Sequence, residues 1–238
     1  MDYELIERHG TAAELHERAL PEPVVPQIWW HRVTGPALVL GSTQRDETLV
    51  DHAACTALGV EVVRRRSGGG AVLLVPGAIG WLDVVLPAGA PGWADDVHAP
   101  MRWIGAHLAA VFAELLGGHG ELTSNAGPMR ATPWSTTVCF DGVGPGEVTL
   151  DGVKLVGISQ RRQRTGARLQ CSWYHAYDSN DLTRVLAAPH RPPVGALQPV
   201  ATVDEAISER VPDRLRARLR GSDGRGSGGF GDEMGNDG

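Results

Sequence analysis

The sequence predicts an α+β fold: a mixed, largely antiparallel sheet flanked by helices. Two observations predict it. Strand and helix patterns are interspersed along the 238 residues without the regular βαβ alternation of a parallel sheet. Neighbouring strand patterns also adjoin through short turns. The clearest is "TLDGVK", where Asp151-Gly152 between two apolar runs is the strongest hairpin signal in the chain.

The elements follow in order. Thr11 to Arg18 has a short helical pattern, and a proline-rich connector runs from Pro21 to Pro26. "QIWWHRV" reads as a strand, and "PALVLGSTQ" as a second ending in a polar turn. "DETLVDHAACTALG" reads as one amphipathic helix closed by Gly59. "VEVVRRR" and "AVLLV" are strands on either side of "SGGG", and "GWLDVVLP" is a further strand. "DDVHAPMRWIGAHLAAVFAELLG" is the longest helical pattern, with Asp95 or Asp96 near its start, Pro100 in its first turns and Gly117 after its end. "GEVTLDGVKLVGISQRR" forms the hairpin, "ARLQCSWYHAY" an alternating strand, and "NDLTRVLA" and "TVDEAISERVPDRLRARL" the last helices. Residues 1–220 read as a single domain. Residues 221–238 are Gly-rich and polar and are expected to be a disordered tail.

Composition narrows the function. A net charge of −6 argues against a nonspecific nucleic-acid binder. Two local clusters of arginine, at positions 64–66 and 161–168, suit small anionic ligands instead. The longest apolar stretch is broken by Pro76 and Asp83 and spans no membrane, and the polar, acidic N-terminus does not read as a signal peptide. Three cysteines without a CxxC pair argue against a disulfide framework and for a reducing compartment, so the chain reads as cytoplasmic. The nine histidines form no ligand cluster, and no metal site is expected.

Two stretches carry chemistry. In "RRRSGGGAV" three glycines remove every Cβ from a turn, so a ligand can lie against bare backbone N–H groups beside forked arginine donors. The bland alternative is a tight hairpin between solvated arginines. No Lys-Ser or Lys-Thr follows the glycines and no GxGxxG is present, so the loop is neither a P-loop nor a dinucleotide fingerprint. The second stretch, "DGVKLVGISQRR", holds Lys154, the single lysine of the chain beside 21 arginines. Ammonium is a compact point charge and guanidinium a wide planar fork, so a tight site distinguishes them where a surface does not. The residues alone leave open whether the lysine is functional or a chance remainder. Cys139, in a polar Gly-rich stretch, reads equally as a nucleophile or a small buried hydrophobe. Cys171 is a weaker candidate, and Cys55 reads as helix packing. Trp29, Trp30, Trp81 and Trp103 read as core, and any of them could line a tunnel.

Together these stretches, with "LGSTQ", resemble the lipoate–protein ligase A family, which includes ATP-dependent lipoate ligases and cysteine-dependent octanoyl transferases. The resemblance covers roughly residues 28–190. It implies the catalytic-domain fold shared by biotin and lipoate protein ligases. It implies that Arg65, Arg66, Ser67, Gly68, Gly69, Gly70, Ala71 and Val72 pack on the acyl chain and its activated carboxyl group, with Gln44 in the same region. It implies that Lys154 contacts the acyl oxygens and that Gly157, Gln160 and Arg162 complete its motif. "WSTTVCFDGVGPGEVTLDGVK" is similar to octanoyl transferases of the Gram-positive type, which places the nucleophile at Cys139. The sequence departs from the family where Gly146-Glu147 replaces an Asn-Asp pair, where "LLVPG" replaces a His-Asp pair, and where Gln170-Cys171-Ser172 replaces Gln-His-Gly.

The implied activity is attachment of a C8 acyl group, octanoyl or lipoyl, to a lysine of a lipoyl carrier domain. The first mechanism is transfer through Cys139 from an acyl-carrier thioester, with no cofactor. There the Lys154 ammonium favours the thiolate and then meets the oxygen of the tetrahedral intermediate. The alternatives are ATP- and Mg²⁺-dependent ligation through an acyl-adenylate, and a non-catalytic acyl- or nucleotide-binding relative. The implied partners are apo lipoyl domains of 2-oxoacid dehydrogenase complexes or the glycine-cleavage H protein, with acyl carrier protein as donor. No nucleic acid or membrane is implied.

Overall fold

A computed structural model describes residues 1–221. Of the tail expected at 221–238, residues 222–238 lie outside them, and Gly221 ends the last helix rather than opening the tail. The elements are β1 (Glu4–Gly10), α1 (Ala12–Glu17), β2 (Gln27–Val33), β3 (Ala37–Leu40), α2 (Asp46–Leu49), α3 (His52–Leu58), β4 (Glu61–Arg64), β5 (Val72–Leu74), β6 (Ile79–Pro87), α4 (Ala99–Leu115), β7 (Leu122–Ser124), β8 (Val148–Leu150), β9 (Val153–Gln163), β10 (Gly166–Tyr174), α5 (Ser179–Arg184), α6 (Glu205–Ser208) and α7 (Val211–Gly221).

A seven-stranded sheet runs β1-β2-β6-β10-β9-β8-β7, and a smaller one runs β4-β3-β5. Only β1–β2 and β3–β4 are parallel, so the arrangement is mixed and largely antiparallel, as the hairpin pattern predicts. Side chains alternate across a strand, and β10 separates two layers on this basis. Leu169, Cys171 and Trp173 enter the main core beneath α4 and α7, with Leu82, Phe112 and Leu215. Tyr174 lies in a second core between the large sheet, α1 and the small sheet, with Leu15, Val39, Val72 and Phe140. The functional site grows from this second layer.

Several elements differ from the sequence pattern for identifiable reasons. The helix expected over "DETLVDHAACTALG" is two helices. Val50 leaves the first to bridge Leu186, and Asp51 caps the second by accepting from Ala54 N–H at 2.9 Å. α4 begins at Ala99 rather than near Asp95, because Pro100 fits only the first turn of a helix. β1 and β7 carry too few buried side chains to show as strands; each is an edge strand held by its neighbour. The glycine stretch is not a hairpin turn. β4 and β5 sit on opposite sides of β3, so residues 65–71 cross over the end of β3.

Candidate active site

The crossing loop is built tightly over β3. Arg65 N–H donates to Leu40 O at 2.9 Å and Ser42 N–H to Ser67 O at 3.0 Å. A Cβ on Gly41 would lie 1.9 Å from Gly69 O, and one on Gly70 would lie 2.6 Å from Cys139 N and Val138 C. Only glycine permits either approach. Gly69 adopts φ +101°, a region that favours glycine. Arg65 is buried and lines the cleft described below, with its fork bonded to the loop's own carbonyls. Nη2 donates to Gly68 O and Gly70 O, both at 2.8 Å, and lies 3.9 Å from Cys139 Sγ. The arginine therefore shapes the loop and sets its charge beside the thiol. Among the described residues, the backbone N–H groups of Gly68, Gly69 and Gly70 make no hydrogen bond within the chain. Three such donors in a turn form a concavity suited to an oxyanion or phosphate.

Cys139 opens a short 3₁₀ turn, Cys139–Asp141, laid against this loop. Its N–H donates to Ala71 O at 3.0 Å, while Ala71 N–H donates to Thr137 O at 2.7 Å. Gln44 secures the same segment from outside. It accepts from Gly41 N–H and donates to Thr136 O and Thr137 O at 2.9 and 3.0 Å. The carboxylate of Asp141 accepts from the Thr132 hydroxyl and from Gln198 N–H, holding the far end of the turn. Cys139 is partly accessible. Cys55 and Cys171 are buried, and burial pushes both thiols up, Cys171 well above the usual range.

Lys154 reaches the same turn from β9, with 3% of its surface exposed. Nζ donates to Cys139 O and Gly142 O, both at 2.8 Å, and pairs with Glu147 Oε2 at 2.6 Å. It also lies 4.9 Å from the centre of the Phe140 ring. An ammonium has three hydrogens, and all three are engaged. The family resemblance implies contact between this charge and the acyl oxygens; in the structure it holds the backbone that carries the thiol. Its partner Glu147 was visible in the sequence only as a departure from the family. The carboxylate also accepts from Gly144 N–H at 2.6 Å and Ile158 N–H at 3.0 Å.

Cys139 stands where two cavities meet. The first is a narrow, mainly apolar cleft between the sheets, walled by Val39, Val72, Leu74, Trp81, Phe140 and Gly157. A Cβ on Gly157 would press on the Phe140 ring at 3.2 Å, so glycine leaves the ring its place. One wall is polar. Ser67 Oγ lies 3.0 Å from Ser159 Oγ and 3.2 Å from Gln170 Oε1, and Gln170 Nε2 lies 3.2 Å from His16 Nδ1. Burial pushes His16 down to about 3 against the pull of the Asp83 carboxylate, so its ring is neutral. The second cavity is larger and open. It holds the glycine loop, Glu147, Lys154, Gln160 and Arg162. The Arg162 guanidinium lies 3.8 Å from the centre of the Trp93 ring, and its Nη1, like Gln160 Oε1, is buried without a partner. Arg66 is exposed and lines neither cavity.

Below the cleft lies a buried charge network drawn from distant parts of the sequence. Asp83 accepts from His31 Nε2 at 2.8 Å, Trp81 Nε1 at 2.9 Å and Arg168 Nε at 2.5 Å. Arg168 continues to the carbonyls of Leu15, His16 and Arg18 at the end of α1. Burial alone would raise the Asp83 carboxyl, but Arg168 and His31 hold it well below the usual range. This network docks α1, and so His16, against the sheet. Asp83 inside the apolar run "GWLDVVLP" was the visible signal.

Comparison with known proteins identifies the family and the fold. The model of the lipoyl protein ligase A/B catalytic domain matches residues 13–214. Octanoyltransferase LipM of Kyrpidia tusciae is 30% identical over 223 residues, covering 86% of this chain and 80% of that protein. Octanoyltransferase LipM of Carboxydothermus hydrogenoformans is 29% identical over 153 residues, covering 63% and 53%. Among solved structures, a bipartite lipoate protein ligase of Thermoplasma acidophilum superposes with a TM-score of 0.69 at 16% identity, covering 93% of this chain and 84% of that one. A lipoate–protein ligase A bound with ATP gives 0.66 at 18% identity, covering 93% and 86%. At these identities the two structures establish the fold.

Proposed function

Because the chain belongs to the family of lipoyl protein ligase A/B catalytic domains, we propose that it transfers a C8 acyl group, octanoyl or lipoyl, to a lysine of an apo lipoyl domain, through a thioester on Cys139. The single observation that carries this reading is the position of the thiol. It lines both an apolar cleft and an open polar cavity, and the second also holds the glycine loop with its unengaged backbone donors. The acyl chain occupies the cleft. The carbonyl then lies at Cys139, and its oxygen, which gains charge on attack, meets the N–H groups of Gly68–Gly70.

In the first half-reaction the Cys139 sulfur attacks the donor thioester. A new carbon–sulfur bond forms, the donor's bond breaks, and the Cys139 proton leaves with the departing donor thiol. An acyl carrier protein is the donor this chemistry suits, since its thioester arrives activated. Arg65 Nη2 lies 3.9 Å from Sγ, which places a positive charge beside the attacking sulfur. In the second half-reaction the neutral acceptor amine attacks the same carbonyl through the open cavity; a carbon–nitrogen bond forms, the carbon–sulfur bond to Cys139 breaks, and an amine proton passes to the departing sulfur. Acceptor domains of 2-oxoacid dehydrogenase complexes and the glycine-cleavage H protein present such a lysine. The compartment we propose is the cytoplasm; no helix among the described residues is long and apolar enough to cross a membrane. Residues 1–220 act as one catalytic domain, with Gln160 and Arg162 facing the donor arm or acceptor in the open cavity.

One observation favours a second reading, ATP-dependent ligation. The glycine-loop donors and Arg162 would also receive a phosphate. The residues fit nucleotide-bound Mg²⁺ poorly. Glu147 is the single carboxylate lining the open cavity among the described residues, and it is already paired with Lys154 and two backbone donors. The test is to offer apo lipoyl domain with octanoyl carrier protein, or with lipoate, ATP and Mg²⁺. A mass shift of the domain with the carrier protein alone supports the thioester route. A shift only with ATP overturns it, and no shift with either favours a binding protein without activity.

A further inference from the structure

Lys154 has no hydrogen left for a substrate, since Cys139 O, Gly142 O and Glu147 take all three. Glu147 depends much less on Lys154. Its two oxygens are also held by the N–H groups of Gly144 and Ile158, so the carboxylate stays in place if the lysine moves. Glu147 lines the open cavity together with Cys139 and is the single acidic side chain there among the described residues. An ammonium approaching Cys139 through that cavity meets two like charges, Arg162 and Lys154. Once out of water it requires a counter-ion, because an unpaired buried charge is strongly disfavoured.

Resting on the covalent reading above, we propose that Glu147 is the subsite for the acceptor lysine: the incoming ammonium takes the place of Lys154 on the carboxylate, and the displaced Lys154 turns to the acyl oxygen. The ion pair on Glu147 is exchanged for another, while Lys154 keeps its bonds to Cys139 O and Gly142 O and turns the freed hydrogen to the acyl oxygen. The step balances. The acceptor ammonium passes one proton by way of Glu147 to solvent. The neutral amine attacks the thioester carbonyl, a carbon–nitrogen bond forms and the carbon–sulfur bond to Cys139 breaks. The second proton goes to the departing Cys139 sulfur, which restores the thiol. Lys154 then returns to Glu147. The resting lysine thus holds the acceptor position until a cation of the same kind replaces it.

The test separates nucleophiles on one loaded enzyme. Acyl-enzyme is prepared with octanoyl carrier protein, freed of donor, and discharged either by apo lipoyl domain or by hydroxylamine, which is largely uncharged at neutral pH. Glu147→Gln is expected to slow discharge by the domain more than tenfold relative to discharge by hydroxylamine. Glu147→Asp, which keeps the charge, recovers part of that ratio. A purely structural role slows both nucleophiles alike. An unchanged ratio in Glu147→Gln overturns the proposal. So does failure of both variants to load, which would assign Glu147 to the first half-reaction. Failure of the parent enzyme to load overturns the covalent reading itself and is seen before any variant is made.

Discussion

Replacing Lys154 by methionine removes a charge but little volume. The side chain is almost fully buried, as is that of Glu147, so Lys154→Met strands a carboxylate in the interior and leaves Cys139 O and Gly142 O without a donor. Breaking a buried pair from one side costs roughly 3–5 kcal/mol. For a chain of this size each kcal/mol lowers Tm by about 2–4 °C, so a fall of roughly 6–20 °C is expected. Gly144 and Ile158 N–H still solvate the stranded carboxylate, which favours the lower half of that range. The double variant Lys154→Met/Glu147→Gln removes the stranded charge and should regain about 2 kcal/mol or more, a coupling that only interacting groups show. Urea unfolding of the four proteins of the cycle measures it, and acyl transfer should stay lost in both proteins lacking the lysine. If Lys154→Met is as stable as the parent within about 0.5 kcal/mol, the lysine is a solvated side chain and the account of the turn is wrong.

Three further outcomes follow from the same geometry. Lys154→Arg keeps the charge but cannot place a wide fork among two carbonyls and a carboxylate; transfer to apo lipoyl domain should fall about 10²–10³-fold, the usual loss for a missing oxyanion donor, and full activity would refute the site assignment. Gly70→Ala puts a Cβ 2.6 Å from the backbone of Val138 and Cys139, so acyl-enzyme formation should drop at least tenfold, read by intact mass against time. His16 and His31 are both held down by burial, His16 to about 3. The folded rings stay neutral while unfolded ones gain protons below about pH 6.5, so stability is complete above that pH and declines as pH falls from there toward 3. His16→Gln should flatten the slope of Tm between pH 6.5 and 4.5, and an unchanged slope would show that His16 titrates normally.

How much of this was legible in the sequence depended on locality. The hairpin at Asp151-Gly152 and the single lysine announced themselves, because turn chemistry and residue choice are local. The glycine stretch was legible as a close approach, since three missing side chains in a row have few other uses. What it approaches was not: the partner is the backbone of Val138 and Cys139, some seventy residues away. The order β4-β3-β5 was hidden for the same reason, as three short apolar strands can be ordered in several ways and only tertiary packing selects one. Glu147 looked like a loss of the family's polar pair, because its meaning lies in a contact with β9. Arg65 looked like a ligand donor, and became a clamp only when the carbonyls of Gly68 and Gly70 turned toward it.

The central claim is that Cys139 carries the acyl group between donor and acceptor. Intact mass measured after mixing the protein with octanoyl carrier protein tests it most directly. One octanoyl adduct is expected on the parent protein and on Cys171→Ala, none on Cys139→Ala, and loss of the adduct when apo lipoyl domain is added, with matching gain on the domain. Full transfer to the domain by Cys139→Ala, or transfer that requires ATP, would contradict it.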